Sequence, residues 1–148
     1  MPRLEGRQPY AAARLRQILA SCLALQDPAQ RLEACAALLT ARLASDGYVN
    51  SRVYVQSRVG AGVLLVVEGR LAEVRVVGPD ERLNRQARRL LQPLVGETLN
   101  VAELEFNLQR LRERPSIGTV RSTLQKLGSD VSQALDRKST RLNSSHTV

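Results

Sequence analysis

Two cysteines, Cys22 and Cys35, have the widest chemistry open to them in this sequence. They stand thirteen residues apart, with no second pair and no nearby histidine to complete a zinc site. In an oxidising compartment they can pair; otherwise they are buried thiols. Each lies on the apolar stripe of its own predicted helix across a short turn, so they are expected to approach each other, and a Cα separation above about 7 Å would exclude a bridge. The sole histidine is His146, inside a terminal segment set aside below, which leaves no imidazole for acid–base work or metal binding. Serines and aspartates are present, but no Gly-x-Ser-x-Gly elbow, phosphate loop, metal-ligand set or paired carboxylates in motif context occur. The expectation is a protein that is not an enzyme and has no catalytic, cofactor or metal residues and no small-molecule substrate.

The formal charge is +8, and 43% of the 148 residues are hydrophobic with 24% charged, the composition of a folded globular chain. Without the acid-free stretch holding Arg137, Lys138 and Arg141 the charge is +5. A basic surface attracts nucleic acid, anionic lipid or an acidic protein. The four aromatics, Tyr10, Tyr48, Tyr54 and Phe106, never alternate with Arg or Lys and offer few stacking platforms for single strands. No apolar run is long enough to span a membrane as a helix, and Met1 is not followed by a signal-peptide pattern, so the chain as written is expected to stay cytosolic unless its true start lies upstream.

The elements follow from periodicity. Leu15, Ile18, Leu19 and Cys22 recur at helical spacing, and Asp27-Pro28 then opens a second helix with Leu32, Cys35, Leu39 and Leu43 on its buried face up to Gly47. The period changes to two after Gly47. Val49, Ser51, Val53, Val55 and Ser57 fall on one face of a strand, and Asn50, Arg52, Tyr54, Gln56 and Arg58 on the other. Gly60-Ala61-Gly62 turns the chain into Val63–Val67, apolar on both faces.

Leu71–Val77 begins the order again. Asp80 caps a helix with Leu83, Ala87, Leu90, Leu91 and Leu94, and Asn100 caps another with Leu104, Leu108 and Leu111, which Pro115 stops. Gly118–Leu124 suits a short strand. A repeat of roughly 70 residues is too long for the common solenoids and fits two small α+β modules in tandem.

The words Asp46-Gly47-Tyr48-Val49-Asn50-Ser51-Arg52-Val53-Tyr54-Val55, Val67-Glu68-Gly69-Arg70-Leu71 and Val74-Arg75-Val76-Val77-Gly78, in that order, resemble the POTRA region of the two-partner secretion transporters, the haemolysin-activator and filamentous-haemagglutinin transporter family. Leu94-Val95-Gly96-Glu97-Thr98-Leu99, with Glu103-Leu104-Glu105, Asn107-Leu108, Leu111 and Pro115, looks like that family's stretch from one POTRA helix to the next. The resemblance covers about Arg3 to Leu135. It implies an α+β fold of two β-α-α-β-β modules, residues 1–70 and 71–136. The first would lack most of its first strand, of which Arg3-Leu4-Glu5-Gly6 is the frayed end. The second would lack a normal last strand, because the sequence leaves the family pattern at Leu124-Gln125-Lys126-Leu127 and a strand could begin only near Ser132. Residues 137–148 resemble a translated adaptor and are expected to be disordered.

The resemblance further implies the periplasmic side of the outer membrane, an unfolded secreted partner of haemolysin or adhesin type, and a C-terminal β-barrel in the full-length protein. Addition of the partner to an exposed sheet edge makes Asn50, Arg52, Tyr54, Gln56 and Arg58 the candidate contacts, joined by Phe106, which lies off its helix's apolar stripe. Asp46-Gly47-Tyr48 reads first as a helix C-cap, Glu68-Gly69-Arg70 as the junction between modules, and Arg82, Arg85, Arg88 and Arg89 as a solvated helix face. The rival readings are a barrel-assembly factor of the same superfamily and a small basic nucleic-acid-binding protein.

Overall fold

The computed structural model describes residues 1–114, 119–127 and 138–147. Two three-stranded sheets, each covered by two helices, follow one another along the chain. In the first, β1 (Arg3–Glu5), α1 (Ala12–Leu23), α2 (Pro28–Ser45), β2 (Arg52–Ser57) and β3 (Val63–Val67) form a sheet of order β1-β3-β2. In the second, β4 (Gly69–Val77), α3 (Glu81–Leu91), α4 (Val101–Arg112), β5 (Thr119–Leu127) and β6 (Lys138–Thr147) form a sheet of order β4-β6-β5. In both, the first strand runs parallel to the central last strand and the middle strand pairs with it antiparallel.

The helices start where short polar side chains satisfy their free amides. Asp27 accepts from Ala29 N (3.1 Å), Asp80 from Arg82 N (2.9 Å), and Asn100 Oδ1 from Ala102 N (2.9 Å) and Glu103 N (3.3 Å). Their apolar stripes close the two cores. Leu19, Leu39 and Leu43 of the helix hairpin pack on Val53, Leu64 and Val66; Leu83, Ala87, Leu91, Leu104, Leu108 and Leu111 pack on Leu71 and Val76. Cys22 and Cys35 form a disulfide inside the first core, with Cα atoms 5.3 Å apart. Gly60 (φ 63°) and Gly62 (φ 88°) supply the left-handed backbone of the β2–β3 turn.

Three sequence expectations change. Residues 137–148, expected to be disordered, contribute β6, the central strand of the second sheet. Lys138–Thr147 contains neither proline nor glycine, and ladder hydrogen bonds come from the backbone whatever the side chains, so a polar segment can occupy the gap between β4 and β5. The second module accordingly has a last strand. Second, β2 begins at Arg52: Val49 is half exposed, while Asn50 and Ser51 are buried where the modules meet. Third, β4 begins at Gly69, so the boundary set at 70/71 falls inside a strand. The stop at Pro115, the strand start at Gly118 and the strand near Ser132 lie outside the described residues.

Candidate functional site

A sheet edge binds an extended chain only where backbone groups point outward without partners. β2 is an edge strand, but part of its edge is closed. Residues of an antiparallel strand send N–H and C=O alternately toward and away from the neighbour. Val53 N donates to Thr40 Oγ1 of α2 (3.0 Å), and that hydroxyl donates to Ala36 O (2.8 Å). Val53 therefore faces outward and is capped, Arg52 and Tyr54 face β3 opposite Val67 and Leu65, and Val55 is the next outward position. A bulge between Val55 and Ser57 then interrupts the register.

The five predicted contact residues on this strand do not act as one surface. Arg52 and Gln56 are exposed, Tyr54 is half-buried, Arg58 is paired with Glu33, and Asn50 is buried beside Gly69. Phe106 is 65% exposed, but it belongs to α4 of the other module.

The second sheet has a longer edge. β5 pairs with β6 in unbroken register from Thr119↔Thr147 to Leu127↔Ser139, and among the described residues the other side of this nine-residue strand carries no sheet neighbour. The opposite edge, β4, is covered at its start. Leu71 N donates to Glu97 O (3.1 Å), Gly96 N to Leu71 O (2.7 Å) and Leu99 N to Gly69 O (2.7 Å).

Between the sheets lies a hydrogen-bonded junction. Gly69 N donates to the buried Ser51 Oγ (3.1 Å), Val101 N to Gly47 O (2.8 Å), and Asn100 Nδ2 to Asp46 O (3.2 Å), so one asparagine caps α4 and ties it to the end of α2. A Cβ at Gly69 would stand 2.6 Å from both Asn50 Cβ and Asn50 O. Glu68 accepts from Arg70 Nη2 (2.6 Å) and from Thr98 Oγ1. Burial pushes the Glu68 carboxyl up, but the hydrogen bonds from Thr98 and Arg70 and the charges of Arg70 and Arg7 outweigh it, and the net shift is downward. A cleft of about 440 Å³ opens beside this junction between Arg7, Gln8 and Tyr48 on one side and Pro93, Glu97 and Glu103 on the other.

Sequence reasoning missed Thr40, whose position beside the apolar stripe of α2 gave no sign of an edge cap. It also missed the pair Tyr10 Oη to Asp46 Oδ2 (2.6 Å), backed by Arg42 Nε (3.1 Å). Burial and the hydrogen bond to Asp46 push the Tyr10 phenol up to about 12. Among the described residues no group of three or more His, Cys, Asp or Glu side chains could hold a metal ion, and no helix is long and apolar enough to cross a membrane.

No protein-family model matches the chain, and no curated protein matches it. Solved structures do. CdiB from Escherichia coli superposes with a TM-score of 0.67 at 22% identity, covering 95% of this chain and 26% of its own. POTRA domains 1–3 of the periplasmic domain of Omp85 from Anabaena give a TM-score of 0.67 at 15% identity, with 97% and 63% covered. The N-terminal domain of Omp85 from Thermosynechococcus elongatus gives 0.62 at 17%, with 97% and 64% covered. The chain thus spans about a quarter of CdiB and under two-thirds of either Omp85 fragment. The α+β fold is that of consecutive POTRA domains.

Proposed function

We propose that this chain is the client-recognition arm of an outer-membrane protein-secretion transporter: on the periplasmic side it captures an unfolded secreted partner by β-augmentation and passes it to a β-barrel borne by the full-length protein. The observation that carries the reading is the β5 edge, nine residues long and without a strand partner among the described residues, on a module whose other edge is partly covered. An added strand gains affinity from ladder hydrogen bonds, each worth about 0.5–1.5 kcal/mol net, and selectivity from the alternate side chains beside it. β2 offers a second, shorter edge from Val55 onward. The role is one of binding, with no chemistry performed on the client.

A second reading, a barrel-assembly factor, is favoured by the likeness to Omp85 domains at the same TM-score as CdiB. It uses the same edges and differs in the client, a nascent barrel strand instead of an exoprotein.

Proline scanning tests the capture step. Ser122→Pro and Thr123→Pro place the ring on adjacent residues of β5, one facing β6 and one facing the open edge. The edge-facing variant is expected to fold normally and to lose binding of tiled peptides from a haemolysin- or adhesin-type exoprotein. Full binding by both folded variants would rule out β5 as the docking edge. Proline at Tyr54 is a poor test, because that residue faces β3 and its loss damages the sheet.

A further inference from the structure

The outer face of the second module's helices carries cations that pair with no described carboxylate. α3 buries Leu83, Ala87 and Leu91 and exposes Arg82, Arg85, Arg88 and Arg89. Arg88 Nη1 pairs with Glu81 Oε1 (3.1 Å), the only acid on the helix. Arg82, Arg85 and Arg89 make no ion pair with a described carboxylate, although Arg85 lies near enough to Glu81 to help hold its carboxyl down. At i, i+3 and i+7 they form one stripe about 10 Å long.

The stripe continues onto α4. Arg114, just past its end, donates from Nη1 to Gln86 Oε1 of α3 (3.4 Å), which sets its guanidinium beside the stripe. Arg110 is exposed and pairs with no described carboxylate, whereas its neighbour Arg112 is neutralised by Glu105 (2.7 Å). Phe106, 65% exposed, stands one helical turn before Arg110. The acids of this helix that remain unpaired by an arginine are Glu103 in its first turn and Glu113 at its C-cap.

We propose that this face is a docking surface for an anionic phospholipid bilayer, Arg82, Arg85 and Arg89 contacting headgroup phosphates and Phe106 entering the interface. The occupant follows from the shape and chemistry of the patch. Guanidinium heads on apolar stems reach outward along two neighbouring helices around a hollow lined by Gln86, Arg89, Leu90 and Arg114, a spacing of cations that suits a layer of phosphate headgroups. Phe106 is a single aromatic, too few to stack a run of bases, but a ring beside cations is the pairing that anchors helices in a headgroup layer. The inference rests on the reading above only in that a transporter arm always works beside a membrane. Lipid docking would hold the second module close to the bilayer and leave β5 to receive the client.

Co-sedimentation with phosphatidylcholine vesicles, with and without phosphatidylglycerol, tests it on the full chain. Binding is expected to the anionic vesicles alone and to be released by salt. The triple variant Arg82→Glu, Arg85→Glu, Arg89→Glu should lose more than about a hundredfold in partitioning, since each surface cation contributes about a fivefold factor and the new carboxylates add repulsion. The matching triple lysine variant should keep most of it and guards against a folding defect. Phe106→Ala should weaken binding severalfold at a salt concentration where charge alone no longer holds. Unchanged partitioning of the glutamate variant would place the attraction elsewhere, for instance at Lys138 and Arg141, and overturn the proposal. So would equal binding to uncharged vesicles, or tighter binding to duplex DNA than to anionic ones. Exoprotein-peptide binding by the glutamate variant, measured without vesicles, reports separately on the capture reading.

Discussion

The two modules share a topology and are held together by different means. The first has short strands of three, six and five residues under a helix hairpin of twelve and eighteen, with the Cys22–Cys35 disulfide inside its core. The second has strands of nine, ten and nine residues under helices of eleven and twelve, and contains no cysteine. Both have an apolar core; the first adds a cross-link to it, and the second adds backbone pairing along a longer sheet. The difference reaches function. The first module caps part of its edge with Thr40, whereas among the described residues no strand pairs with the outer side of β5.

Removing the disulfide should have the largest effect. Closing a loop of this size is worth about 3 kcal/mol, so Cys22→Ala with Cys35→Ala should lower the urea midpoint strongly and strip amide protection from β2 and β3 while sparing β4 to β6. Equal loss in both sheets would mean that the modules unfold as one unit.

Gly69→Ala comes next. The new Cβ meets the Asn50 backbone in the junction, and relieving that overlap should cost about 2 kcal/mol, felt by both modules. An unaffected midpoint would show that the junction yields freely. A smaller change, about 1 kcal/mol, is expected for Thr40→Ala, which removes the hydroxyl that accepts from Val53 N and leaves that amide uncovered. That variant sharpens the comparison, because it lengthens the open edge of β2 and should raise client binding there. Binding that stays the same would show that β2 takes no part.

The pH dependence is the mildest test. Glu68 has a folded-state pKa below its ordinary 4.5, so it adds stability that is present above that value and is lost as pH falls below it; Glu68→Gln should flatten this acid limb. Tyr10 works in the opposite sense. Its pKa is raised from 10.0 to about 12, so its contribution is complete below 10.0 and is lost as pH climbs toward 12, a limb absent from Tyr10→Phe. Thermal melts across both ranges read the two effects.

The helices were legible from the sequence because a 3.6-residue apolar stripe and a capping side chain are local signals, as Asp27, Asp80 and Asn100 illustrate. The sheet was legible less evenly. Asn50 and Ser51 continue the alternation of β2, yet they are withdrawn from the strand because Gly69 approaches them from the next module, a contact with no local signature. Lys138–Thr147 reads as polar and unpatterned; its place in the sheet is set by the backbone groups of the strands on either side. The cysteine spacing showed that a bridge was within reach, but pairing depends on the redox compartment, which residue types do not encode. The site was the least legible part, since an edge is defined by which strands pair, and pairing is long-range.

Hydrogen exchange on the chain with and without a saturating peptide from a haemolysin- or adhesin-type exoprotein tests edge capture most directly. Alternate amides of Thr119–Leu127, those facing away from β6, should gain protection on binding, with a smaller gain at Val55. Saturated binding that leaves those amides exchanging at their free rate, or that protects only the α3 and α4 faces, would contradict capture by strand addition.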